Sequence, residues 1–160
     1  MELVDLRESG AALRQRILAL NAAHEAETSP LDAPRLDAML AECCAAPARP
    51  DGGAFLIAFA EGAAYDSPNY EWVAARHPRF VYVDRIVVAP DLRGAGVGRA
   101  LYETVFALAR ARAVPVLCEV NLRPPNPGSD AFHAALGFTE AGRARLAPGK
   151  DVRYLVCPGR

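Results

Sequence analysis

Two acidic residues interrupt apolar runs of this chain, Asp84 within residues 80–88 and Glu119 within residues 114–120. A carboxylate is seldom buried in a strand without a partner or a task. Each is therefore a candidate general base, and each is also readable as the ion-pair partner of an arginine. Between them lies Arg93-Gly94-Ala95-Gly96-Val97-Gly98-Arg99. This stretch follows a run of strand-formers and a Pro90-Asp91 turn, and it leads into a helical pattern with Leu101, Val105 and Leu108 on one face. At a helix start the first N–H groups lack partners and the dipole adds positive charge, while glycines let the backbone approach an anion closely. Arg93 and Arg99 add formal charge at both ends. The stretch reads as a phosphate cradle.

The kind of phosphate is narrowed by exclusion. A P-loop needs Gly-x-x-x-x-Gly-Lys-Ser/Thr, and the chain has no Lys-Ser or Lys-Thr pair. The dinucleotide fingerprint Gly-x-Gly-x-x-Gly fails as well, since its third glycine falls on Arg99 counted from Gly94 and on Leu101 counted from Gly96. What remains, Arg-x-x-Gly-x-Gly between a strand and a helix, resembles the acetyl-CoA pyrophosphate loop of the GNAT N-acetyltransferase superfamily. A second match follows at the expected distance. Asn126 is followed seven residues later by His133, where the family keeps a tyrosine, and four residues after that by Gly137-Phe138. Asp66-Ser67-Pro68-Asn69-Tyr70, Asp84-Arg85-Ile86-Val87-Val88 and Glu119-Val120-Asn121 also resemble a bacterial branch of acetyltransferases.

The resemblance implies acetyl-CoA as acetyl donor, no metal, and transfer to a primary amine. The pantetheine arm is expected along Ile86, Val87 and Val88, and the pyrophosphate on Arg93, Gly94, Ala95, Gly96, Val97, Gly98 and Arg99, with Asn126 and Ser129 at the next helix start. Glu119, in the context Cys118-Glu119-Val120, matches a position where some family members carry the base. The stretch from Glu119 to Asn126 is about two residues longer than usual and contains Pro124-Pro125. His133 stands where the family's tyrosine protonates the departing thiolate, with a helix-face histidine as the alternative. The expected acceptor is a small-molecule amine. The competing readings are a protein N-terminus or lysine as acceptor, and an acetyl-CoA-binding sensor that has lost turnover.

These groups must be carried by a mixed sheet. Residues 2–7 read as a first strand, Ser9 as the cap of a helix with stripe Leu13, Ile17 and Leu20, and residues 32–42 as a second helix. Pro50-Asp51-Gly52-Gly53 demands a turn, followed by a strand over 54–60. Residues 61–79 are long for a hairpin loop and rich in polar aromatics. They are read as a lid whose Tyr65, Tyr70 and Trp72 wall the acceptor site, the alternative being rings docked on the core. A central strand over 80–88, the cradle helix and a strand over 114–120 form a parallel crossover. Asn126 caps the next helix, Gly137 ends it, and residues 138–146 and 151–157 pair as a closing hairpin. The expected class is α/β (α+β): a mostly antiparallel sheet with a central splayed parallel pair and helices on both faces.

Composition adds exclusions. A chain of 160 residues is sized for one domain, expected over 1–160. The formal net charge of −1 offers no global field for nucleic acid or an anionic membrane. The first residues lack a basic and apolar leader, and no run approaches the ~18 apolar residues of a membrane span. The four cysteines, Cys43, Cys44, Cys118 and Cys157, lack metal-ligand spacing. They are expected as reduced thiols of a cytoplasmic protein acting as monomer or homodimer.

Overall fold

The structure is a computed structural model and describes residues 1–159. Its element order is β1 (Val4–Asp5), α1 (Ala11–Ala23), α2 (Ala33–Glu42), β2 (Pro47–Ala48), β3 (Ala54–Ala60), α3 (Pro68–Arg76), β4 (Val81–Val88), α4 (Val97–Arg112), β5 (Val116–Arg123), α5 (Pro127–Ala135), β6 (Thr139–Ala147) and β7 (Lys150–Cys157). The strands form one sheet in the order β1-β2-β3-β4-β5-β7-β6. Among the described residues only β4 and β5 pair in parallel. The expected class and order hold, with α3 as a full helix in the long segment.

Two apolar layers sandwich the sheet. One gathers Leu101, Tyr102, Val105 and Phe106 of α4 with Leu136 and Phe138 over Val81, Val83 and Val116. The other packs Ile17 of α1, Leu36 and Met39 of α2 and Tyr70 and Val73 of α3 over Phe55, Ile57, Phe59 and Tyr82. β3, a continuous apolar run, is buried through six of its seven residues, as a strand covered on both faces must be.

Several boundaries differ from the sequence reading, each for a local reason. The first strand stops at Asp5, because the Asp5 carboxylate accepts the Arg7 N–H and turns Leu6–Glu8 into a 3-10 helix. Ser9 does not cap α1. Its hydroxyl donates back to the Leu6 carbonyl, and Gly10 takes the cap position. The buried stripe of α1 is Ile17 and Asn21, with Leu13 and Leu20 half-buried. Asp32 caps α2 and Ser67 caps α3, each accepting a backbone N–H with proline at the helix start.

Candidate active site

β4 and β5 share a ladder only at Val81↔Val116 and Tyr82↔Leu117. Beyond that point β4 continues along β3 as far as Val88, and β5 continues along β7. The parallel pair therefore splays, and a cleft opens between the carboxyl ends of its strands. The β3–β4 register jumps from Ile57↔Arg85 to Ala58↔Val83, which leaves Asp84 unpaired as a bulge. The bulge reverses the pleat. Val81 and Val83 face the α4 layer before it, whereas Ile86 and Val88 do so after it and Val87 faces the other layer.

A cavity of about 540 Å³ fills the splay. At one end it is lined by Ile86, Val87, Val88, Arg93, Gly94, Gly96, Val97, Gly98 and Arg99, with Asn126 and Ser129 opposite. Of the expected cradle residues only Ala95 is not part of the lining. Gly94 and Gly96 have φ of +78° and +80°, and nothing lies within 4 Å of where a Cβ would stand. That left-handed turn is what aims the first amides of α4 at the cleft, with Gly96 as the cap. Gly98 has a different cause: a Cβ there would come 2.9 Å from the Phe132 ring, which also lines the cleft. Its role is to let α5 approach α4. Asn126 caps α5 by accepting the Ser129 N–H at 3.3 Å.

These features fit a coenzyme A pyrophosphate and pantetheine arm. The cradle offers open glycine backbone at a helix start, and among the described residues β4 carries no partner strand on its cleft side past Tyr82.

The same cavity is also lined by Asp84, Arg85, Glu119, Tyr102, Cys118 and His133, and by His24, Glu27 and Thr28 from the segment after α1. Glu119 accepts the Tyr82 hydroxyl at 2.6 Å. Burial pushes the Glu119 carboxyl up to about 8, the nearby Asp84 charge adding to the rise. Asp84 is held on both oxygens, by Tyr65 Oη at 2.5 Å and Arg85 Nε at 2.7 Å. Arg85 is itself buried and runs on to Asn21 Oδ1 at 3.1 Å and Ser29 Oγ at 2.9 Å. The network ties the loop after α1 to the bulge. Asp84 thus has the arginine partner that the sequence left open, while the hydrogen-bond partner of Glu119 is a tyrosine.

His133 is 3% exposed, and both ring nitrogens are engaged. Nδ1 lies 2.8 Å from the Ser129 carbonyl and Nε2 lies 2.7 Å from Tyr102 Oη. Burial lowers its proton affinity, opposed by the bond to Ser129.

The three aromatics expected on the acceptor wall are absent from the cavity lining. Tyr70 donates to the Ala60 carbonyl at 2.6 Å, accepts the Ala63 N–H at 3.0 Å and is 5% exposed. Trp72 stacks on Tyr154 at 3.9 Å between ring centroids and carries Arg76 on its ring. Tyr65 stacks on Phe59 and reaches the site only through Asp84. Residues 61–79 dock on the core because three rings and a capped helix bury there.

Sequence reasoning missed Tyr102 and the group His24, Glu27 and Thr28. Tyr102 is hidden within an apolar helix face. The other three sit far along the chain from the cleft strands, and the available signal was the polar Asn21 in the buried stripe of α1.

The sequence model of the Acetyltransferase (GNAT) family matches residues 15–138. No curated protein matches the sequence. Among solved structures, the ribosomal-protein-S18-alanine N-acetyltransferase from Escherichia coli is similar with a TM-score of 0.64 and 19% identity, over 99% of this chain and 93% of that one. Smu.2055 from Streptococcus mutans UA159 is similar with a TM-score of 0.74 and 18% identity, over 100% of both chains. An aminoglycoside 6'-N-acetyltransferase complexed with coenzyme A gives 0.71 at 13% identity, over 98% of this chain and 96% of that one. At such identities the likeness is one of fold. The family match spans most of the chain and takes in the splayed strands, the cradle and the α5 motif, so the chain belongs to the Acetyltransferase (GNAT) family of acetyl-CoA-dependent acyltransferases.

Proposed function

We propose that this acetyltransferase transfers the acetyl group to a primary amine of a small molecule. The observation that carries the reading is one cavity lined both by the phosphate cradle and by the acidic side chains Asp84, Glu119 and Glu27. Asp84, Glu119 and Glu27 line the acceptor half, where an amine arrives as its cation. The loop after α1, pinned by the Arg85 network, bounds that half with His24 and Thr28, which favours a compact acceptor.

Glu119 is the base in this reading. A carboxyl titrating near 8 takes a proton from an ammonium or from the attacking nitrogen more readily than an ordinary glutamate does. Tyr82 orients it. Asp84, held by Tyr65 and paired with Arg85, is committed to that network and shapes the acceptor half. Backbone amides of β4 at the splay supply the donors for the carbonyl oxygen, a contribution on the order of 3 kcal/mol for one preorganised donor. When bound, acetyl-CoA provides the thioester whose acyl carbon is attacked. His133 belongs to the thiolate side of the site.

Transfer to a protein N-terminus or lysine is the second reading, favoured by the likeness to the ribosomal-protein acetyltransferase. Release of free thiol from acetyl-CoA, scanned over amines, amino acids, aminoglycosides and N-terminal peptides, separates the two. Turnover confined to small amines supports the first reading, and turnover confined to peptides overturns it. Binding of acetyl-CoA with no turnover on any acceptor would instead support a sensor.

A further inference from the structure

We propose that Arg85 and Asn21 are positioning residues for acceptor selection. Together they clamp the segment after α1 to the bulge of β4 and so fix the acceptor wall relative to the cofactor strand. The inference rests on the acetyl-transfer reading above and adds what decides the size of the acceptor.

The clamp begins with the pleat. Side chains alternate along a strand, so in a regular β4 Arg85 would share the face of Val81 and Val83 and enter the apolar α4 layer. The Asp84 bulge turns it over. Arg85 stands opposite Ile57, whose side chain belongs to the layer of α1 and α2. It is buried there, and a buried guanidinium is tolerated only where its donors and its charge are met. Nε donates to Asp84 Oδ2 at 2.7 Å, Nη1 to Asn21 Oδ1 at 3.1 Å and the Ser29 carbonyl at 3.3 Å, and Nη2 to Ser29 Oγ at 2.9 Å. A lysine, with its donors on one atom, could not span these acceptors.

Asn21 closes the grip from the helix side. It is fully buried in the inward stripe of α1, and its Nδ2 donates to the same Ser29 carbonyl at 2.9 Å. Its Oδ1 also accepts the Thr28 hydroxyl at 3.3 Å. An apolar residue would serve the stripe equally well, so the amide at this position is explained by the segment it holds. The Ser29 carbonyl is thus fixed by side chains from α1 and from β4 at once.

The segment between Asn21 and Ser29 supplies His24, Glu27 and Thr28 to the cavity lining, whereas Asn21 and Ser29 stay outside it. On β4, the residues that directly follow Arg85 are Ile86, Val87 and Val88, which line the same cavity beside the cradle. One guanidinium therefore sets the spacing between the acceptor wall and the cofactor strand. A misplacement of about 1 Å between reacting groups can cost on the order of a hundredfold in rate. Asp84 pairs with the Arg85 charge, so the clamp acts by geometry and leaves recognition of the amine to Glu27 and Glu119.

The test uses Asn21→Ala and Ser29→Ala, because neither side chain lines the cavity and a change in acceptor kinetics must come through the segment they hold. Amide exchange should quicken at His24 and Glu27, whose N–H groups are bonded within that segment, and stay unchanged in α4. Acetyl transfer is followed on n-butylamine, putrescine, kanamycin and an alanyl peptide. For the best of the four, the acceptor KM should rise about tenfold while the acetyl-CoA KM stays within about twofold. The kcat/KM preference for the smaller acceptors should shrink as well. Ser29→Thr keeps an oxygen for Arg85 and should retain the wild-type constants, whereas Arg85→Lys should behave as Ser29→Ala does. Faster exchange with unmoved acceptor constants overturns the proposal and leaves the clamp a brace of the fold. An acetyl-CoA KM that rises in step with that of the acceptor overturns it too, and unchanged exchange removes the clamp itself. A wild type that binds acetyl-CoA but acetylates none of the four overturns the acetyl-transfer reading, and the selectivity role with it, while the exchange comparison still decides the clamp.

Discussion

Replacing Glu119 with Gln should make the protein more stable at high pH and leave it unchanged at low pH. The sign follows from linkage. The Glu119 carboxyl titrates near 8 in the folded protein against an ordinary 4.5. Below the lower value both folded and unfolded chains hold the proton, and no penalty exists. Between the two the folded chain keeps a proton that the unfolded chain releases, so stability falls as pH rises, and above about 8 the full penalty is present. The ceiling, at 1.36 kcal/mol for each tenfold in proton affinity, is on the order of 5 kcal/mol. The carboxylate faces a cleft and is only partly buried, and water there reduces the cost to about 2–3 kcal/mol. Gln keeps an oxygen for the Tyr82 hydroxyl, so that 2.6 Å bond survives the substitution. Urea unfolding followed by Trp72, the one tryptophan, measures both proteins from about pH 4 to pH 9. The difference should grow from near zero to about 2–3 kcal/mol in favour of the variant, while its acetyl transfer falls by about a hundredfold or more. A difference independent of pH would refute the reasoning, and so would a variant less stable than wild type at the alkaline end.

The cradle glycines should separate by cause. Gly96→Val forces a β-branched residue to φ +80° at the helix cap and should weaken acetyl-CoA binding at least tenfold by calorimetry. Gly98→Ala should act through Phe132 and lower stability by about 1 kcal/mol or more, and equal effects of the two on affinity alone would remove the distinction. Ala113 closes α4 in the left-handed region at φ 55°, so Ala113→Gly should raise stability by about 1 kcal/mol; a loss on urea unfolding would contradict this. Trp72→Ala removes the stack on Tyr154 and should cost about 2 kcal/mol with the acceptor KM unmoved. A raised KM at unchanged stability would return Trp72 to the acceptor wall.

The parts of the site that sequence made legible are those encoded by backbone conformation. Gly94 and Gly96 declare a left-handed turn, Asn126 before Pro127 declares a helix start, and the apolar runs of β3, β4 and β5 declare central strands. Registers are not declared in this way. The Asp84 bulge is one unpaired residue in a ladder, and it decides that Asp84 and Arg85 meet Tyr65, Asn21 and Ser29. Those contacts bring together residues up to 64 positions apart, which no local periodicity reports. The aromatic richness of 61–79 was misleading for a physical reason: rings that bury on a core and rings that grip a ligand have the same composition.

His133 shows how far a spacing argument reaches. The intervals from Asn126 and to Gly137 fix its place on α5, and the helix does put it at the cleft. What spacing cannot supply is the partner on the neighbouring helix. Gly98 lets Phe132 close on α4, and that approach brings His133 within 2.7 Å of Tyr102. A tyrosine at the α5 position would aim its own hydroxyl. A histidine there, with Nδ1 committed to Ser129, receives the Tyr102 hydroxyl of α4 on its other nitrogen. The residue at one motif position is thus tied to a partner in another element, and the pair, rather than either residue, is the unit that mutation should test.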